Sequence, residues 1–104
     1  MYNVMIIGSG VSGSAIAREL SRYEGKFCVI EQALDIGEGT SKANSGICHS
    51  GFDAKVGTLK AQLNIEGNKM MQNLSLELDF PFEQNGSLVV ALEGDSVGDL
   101  EKLC

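Results

Sequence analysis

Gly8, Gly10 and Gly13 stand in the spacing G-x-G-x-x-G directly after an apolar run that contains Val4, Ile6 and Ile7. Such a set suits phosphate chemistry. The first glycine permits a tight turn out of a strand, the second lets the backbone approach a pyrophosphate, and the third lets the following helix pack close to the sheet. Unpaired N–H groups at the helix start, with its positive dipole end, favour a doubly charged phosphate pair. Glu31 lies 18 residues beyond Gly13, at the end of a second apolar run, Phe27 to Ile30. A carboxylate there accepts hydrogen bonds from ribose hydroxyls and repels a 2′-phosphate, which disfavours NADP. Three glycines alone would only turn and pack a structural β-α-β unit. Strand, glycines, helix and acid together point to a dinucleotide.

These groups need elements to hold them. Tyr2 to Ile7 reads as a strand buried on both faces. A helix should run from the glycines to about Tyr23, with Val11, Ala15, Ala17 and Leu20 on its apolar face and Gly25 as a stop. Phe27 to Ile30 reads as the second strand. Residues 32–52 are polar and glycine-rich, with a short helix expected over Ser41 to Cys48; so long an irregular run in a compact domain is usually functional. The helical period returns from Gly57 to about Asp79, where Leu59, Leu63, Met70, Leu74 and Leu78 make one stripe and Pro81 forbids continuation. A turn at Asn85-Gly86 precedes a third strand, Ser87 to Leu92, and 94–104 has helical composition at its end, with Leu100 and Leu103 on one side. The order implies an α/β protein: a partial, incomplete Rossmann-like domain of β-α-β plus a long helix.

Composition narrows the function classes. The 104 residues carry a net charge of −6 with a pI near 4.6, and no basic patch is present to meet nucleic-acid phosphates. No stretch approaches the ~20 apolar residues that cross a bilayer, so membrane contact is not indicated. Cys28, Cys48 and Cys104 are odd in number and lack CxxC spacing, which argues against a disulfide framework or a metal site and for a reducing cytoplasm.

FAD and NAD share the glycine fingerprint, and the next segment separates them. Gly37 to Gly51, with the string Thr40-Ser41-Lys42-Ala43-Asn44-Ser45-Gly46 and then Phe52-Asp53, resembles the second cofactor-contacting segment of the glycine-oxidase/D-amino-acid-oxidase-like FAD oxidoreductases. The resemblance is strongest to the glycerol-3-phosphate dehydrogenase branch, with L-2-hydroxyglutarate oxidase next. It extends over Gly57 to Ala61 and Leu78 to Phe82. It implies FAD as cofactor and oxidation of a small hydroxy compound by hydride transfer. It places Thr40, Ser41 and Lys42 along the pyrophosphate and ribitol, and Asn44, Ser45 and Gly46 beside the flavin. The same Ser, Thr and Asn residues also suit ordinary turns. His49 stands, by resemblance, near the isoalloxazine, where an imidazole can orient substrate or share a proton; a lone histidine is also commonly structural. Cys48 beside it reads either as a covalent flavin anchor or as a small apolar residue.

The resemblance also sets an expected organisation. Residues 1–82 would form the nucleotide-binding portion, and residues 83–104 the truncated beginning of a substrate-domain sheet with a following helix. Relatives are several times longer, so the small-molecule substrate belongs to a full-length parent. Two readings follow: an FAD-binding part of a flavin-dependent dehydrogenase, or a catalytically inert fragment that self-associates through open strand edges. An NAD module is a third, which the Thr40 to Gly51 segment opposes.

Overall fold

A computed structural model describes residues 1–92 together with 98 and 100. The chain divides into two compact units, Met1–Ile47 and Cys48–Cys104.

The first unit is a β-α-β turn of chain. Strand β1 (Val4–Ile7), helix α1 (Val11–Leu20) and strand β2 (Phe27–Ile30) follow in order. β1 and β2 pair in parallel with the register Val4↔Phe27, Met5↔Cys28, Ile6↔Val29 and Ile7↔Ile30. The Gly8 N–H donates to the Ile30 carbonyl at 2.7 Å, so the ladder continues one step into the glycine turn. At the other end Asn3 closes the pair twice: its N–H donates to the Lys26 carbonyl, and its Oδ1 accepts from the Lys26 N–H, both at 2.8 Å. Helix α1 packs on both strands. It ends at Leu20, short of the expected Tyr23, because Arg22 and Tyr23 donate three residues back rather than four and tighten the last turn.

β1 is not buried on both faces as its composition suggested. Ile6 is sheltered at 8% exposure, whereas Ile7 is 86% exposed. α1 covers one face, and no described element lies over the other.

The second unit is built on α2 (Leu59–Leu78). Thr58 caps its start, accepting from the Ala61 N–H at 3.3 Å while its own hydroxyl donates to the Lys55 carbonyl at 2.6 Å. Asp79 ends it in the left-handed region (φ 53), and the Asp79 and Phe80 N–H groups both reach the Ser75 carbonyl, two residues ahead of Pro81. The helix turns a different face to its own unit than the leucine pattern implies. Ala61 is buried, and Asn64, Asn68 and Met71 are half-buried at helical spacing, while of the leucine stripe Leu59, Leu63, Met70 and Leu78 are exposed and Leu74 is half-buried. The reason is local. Gly51 sits so near α2 that a Cβ on it would lie 2.8 Å from the Ile65 side chain and 3.4 Å from the Ala61 carbonyl. Small residues admit that approach, and the leucine stripe is left without a covering element among the described residues.

Two further expectations fail. Ser41 to Cys48 is not a helix: the chain makes turns over 36–43, with one helix-like bond from the Ala43 N–H to the Gly39 carbonyl. Gly39 (φ 81) and Gly46 (φ 68) lie in the left-handed region, which ends a helical path. Ser87 to Leu92 forms no strand, because no described segment pairs with it and an unpaired strand leaves its ladder groups unmet. Gly86 before it lies in the left-handed region (φ 71), but no turn forms at Asn85-Gly86. The helix expected at the end of 94–104 falls largely outside the described residues.

Candidate functional site: a glycine turn closed by a carboxylate

The end of β1 and the start of α1 enclose an open hollow of about 330 Å³. Gly8, Gly10 and Gly13 line it from the turn, and Thr40 and Ser41 line it from the loop after β2. Gly8 has φ 96, a conformation that L side chains rarely adopt. A Cβ on Gly13 would lie 2.0 Å from the Gly8 carbonyl oxygen, so only glycine lets the helix start this close to the strand end. A Cβ on Gly10 would meet Ser41 Oγ at 3.1 Å.

The helix start is open electrostatically as well. Gly10 supplies no side-chain cap and the first turn holds no acid. Ser41 Oγ accepts from the Val11 N–H at 2.9 Å, placing a hydroxyl oxygen where a phosphate oxygen would be received. Backbone donors, a positive dipole end and a Cβ-free approach are the features a pyrophosphate needs, so the residues present fit that part of a dinucleotide.

Glu31 lies beside this turn. Its Oε2 accepts from the Ser9 N–H at 2.7 Å and from the Ser9 hydroxyl at 2.8 Å, and its Oε1 accepts from the Ala33 N–H at 2.9 Å. These donors, with the Ala33 amide contributing most and the two Ser9 groups next, hold the carboxyl at about 2, well below its ordinary value of 4.5. Partial desolvation opposes them and loses.

The remaining candidates separate. Asn44 folds on its own loop: its side-chain amide donates to the Ser41 carbonyl, and its Oδ1 accepts from the Gly46 N–H at 2.7 Å. Lys42 and Ser45 are exposed, with no partner among the described residues. His49 belongs to the second unit, where its Nδ1 lies 3.5 Å from Asp53 Oδ2. The Asn68 side-chain amide spans the backbone of the same segment, reaching the Cys48 and His49 carbonyls at 3.4 Å each. Cys48 and Cys28 are free thiols.

Sequence reasoning missed Ser9, Asp53 and Asn68. A hydroxyl between two motif glycines was the available signal for Ser9, and the i, i+4 spacing from His49 was the signal for Asp53. Nothing in the local pattern marks Asn68. Among the described residues no helix is long and apolar enough to cross a membrane.

The chain is 52% identical over 103 residues to a glycerol 3-phosphate dehydrogenase of Caloramator mitchellensis, covering 99% of this chain and 22% of that protein. It is 38% identical to a glycerol 3-phosphate oxidase of Mycoplasma genitalium, over 89% of this chain and 24% of that protein. It is 36% identical to a mitochondrial L-2-hydroxyglutarate dehydrogenase of Nematostella vectensis, over 98% of this chain and 23% of that protein. The chain thus spans about a quarter of the length of these relatives. Residues 3–104 match the family described as FAD dependent oxidoreductase. With the glycine turn, the helix start and the Glu31 carboxylate in one unit, the chain belongs to that FAD-dependent oxidoreductase family.

Proposed function

We propose that the chain is the FAD-binding part of a glycerol-3-phosphate dehydrogenase-like enzyme, which oxidises a small hydroxy compound. The observation that carries this reading is the Gly8–Gly13 turn opening a helix whose N-cap, Gly10, carries no side chain, beside an ionised Glu31. FAD, when bound, accepts the hydride; the protein's task is binding, orientation and exclusion of water. Gly8, Gly10 and Gly13 receive the pyrophosphate, Glu31 takes the adenosine ribose, and Thr40, Ser41 and Lys42 continue along the pyrophosphate and ribitol. Asn44, Ser45 and Gly46 serve the flavin side, and His49, oriented by Asp53, is the group that handles the substrate proton. The similarity to glycerol 3-phosphate enzymes supports the substrate class. In this reading residues 1–82 form the nucleotide portion, 83–104 begin the substrate domain, and the free thiols of Cys28 and Cys48 suit the cytoplasm.

An FAD titration followed by visible absorbance and flavin fluorescence tests it. Saturable binding with a perturbed flavin band is expected, lost in Gly10→Val, whose side chain collides with Ser41, and in Glu31→Ala. No saturation at high micromolar FAD sinks the proposal for this chain.

A second reading, a self-associating fragment without catalysis, is favoured by two observations: the exposed Leu59, Leu63, Met70 and Leu78 stripe, and a two-stranded sheet whose outer edges have no partner among the described residues. Sedimentation velocity should then show dimers or larger species at high micromolar chain, shifting to monomer when Leu63 and Met70 are both replaced by lysine. A monomer at every concentration rules this reading out.

A further inference from the structure

We propose that Ser9 is a positioning residue that sets the Glu31 carboxylate and ties the ribose-recognising group to the pyrophosphate turn. The inference rests on the FAD-binding reading above and concerns a residue outside the glycine fingerprint itself.

Ser9 is 4% exposed and is the one buried polar residue among those described. Every polar atom it has is engaged. Its N–H and its hydroxyl both donate to Glu31 Oε2, at 2.7 and 2.8 Å. Its carbonyl accepts from the Ser14 hydroxyl at 3.1 Å and from the Gly37 N–H at 3.2 Å. One residue therefore joins the glycine turn, the first turn of α1, the end of β2 and the loop that follows. The turn itself asks for no hydroxyl at this position, since Gly8 supplies the unusual backbone angle. What the hydroxyl does is complete a pair of donors on one carboxylate oxygen.

That pairing decides where a ligand can bind. A carboxylate offers about four acceptor sites, two on each oxygen. Ser9 fills both sites on Oε2, and Ala33 fills one on Oε1. Beside these only the weaker Gln32 amide acts on the carboxylate, so a ribose hydroxyl is directed to what is left of Oε1. Without the Ser9 hydroxyl, the Ser9 and Ala33 amides still hold one oxygen each, but Oε2 regains a free site and a ribose hydroxyl can be accepted on either oxygen.

The test compares ADP with 2′-deoxy-ADP on the wild-type chain and on Ser9→Ala, by calorimetry at neutral pH. Wild type should prefer ADP by about tenfold, the size expected of one hydrogen bond to a charged group. In Ser9→Ala the preference should fall severalfold, because the ribose hydroxyl is no longer directed to one oxygen. Equal weakening of both nucleotides, with the ratio kept, would mean that Ser9 only holds the turn, and overturns the inference. A second reading needs no ligand: the Glu31 side-chain carboxyl carbon, followed by NMR, should titrate at higher pH in Ser9→Ala than in wild type. An unchanged titration also overturns the inference. A wild-type chain that binds neither ADP nor FAD, yet shows the raised titration in Ser9→Ala, refutes the FAD-binding reading while upholding the link between Ser9 and Glu31.

Discussion

Replacing Gly13 with alanine should weaken FAD binding by at least about a hundredfold and destabilise the chain by about 1–3 kcal/mol, although the change adds a single methyl group. The new Cβ would sit 2.0 Å from the Gly8 carbonyl oxygen and 3.0 Å from the Gly8 carbonyl carbon. Both are backbone atoms, so no side chain can swing aside. Ile6, the one large apolar residue sheltered in the first unit, is 3.5 Å away on the same side. The helix start must retreat by about 1 Å, and that displacement moves the amides that would meet the pyrophosphate. Gly67→Ala is the matched control. Gly67 lies inside α2 with nothing within 4 Å of its added Cβ, so alanine there should stabilise by about 0.5–1 kcal/mol. Urea unfolding and FAD titration of the two variants read both effects. Gly13→Ala that unfolds and binds as wild type would show that the close approach of strand and helix has no role.

The second large effect belongs to Glu31 and depends on pH. Its folded carboxyl titrates at about 2, against an ordinary 4.5. A depressed folded value means that the carboxylate's contribution is complete above about 4.5 and is lost as pH falls toward about 2. Other carboxylates titrate nearby, so the informative quantity is a difference. Wild type should exceed Glu31→Gln in urea midpoint at neutral pH, and the gap should close between pH 4.5 and 2. In Glu31→Gln the amide oxygen can answer either the Ser9 donors or the Ala33 donor, and the NH2 then faces the other. FAD affinity at neutral pH should fall by about tenfold or more, since charge-assisted bonds are among the strong ones. A gap between wild type and variant that stays constant from pH 7 to 2 would show that the Ser9 and Ala33 bonds do not hold the carboxylate.

The first unit was largely legible in the sequence because its constraints are local. Gly8 must turn, Gly13 must admit a helix, and Glu31 must follow the second strand; each statement involves one residue and its immediate chain neighbours. The ends of α2 were legible for the same reason, with Pro81 setting the limit and Asp79 providing the left-handed stop. What periodicity could not supply was the identity of the covering surface. The leucines of α2 mark a face fit for burial, yet the face that is sheltered contains Ala61, Asn64 and Asn68, selected by the near approach of Gly51. Ser87 to Leu92 has the composition of a strand, but strand formation is a property of two segments, and the second is not among the described residues. Ser9 was missed because its importance comes from a carboxylate 22 residues away, and spacing rules treat the residue between two glycines as a blank.

The register of β1 and β2 has a consequence for how the chain is made. Because the strands run parallel, all four rungs join residues separated by the same 23 positions. One loop closure therefore brings the whole ladder within reach, and its entropic cost grows only slowly with length. The Gly8 bond to Ile30 and the Ser9 bonds to Glu31 close on nearly the same separation. During synthesis, which delivers about 5–20 residues each second, the glycine turn can make these bonds once Ala33 has left the ribosome, before α2 has emerged from it. The pairing of β1 and β2 with its glycine turn is thus the earliest part of this chain whose bonds can form.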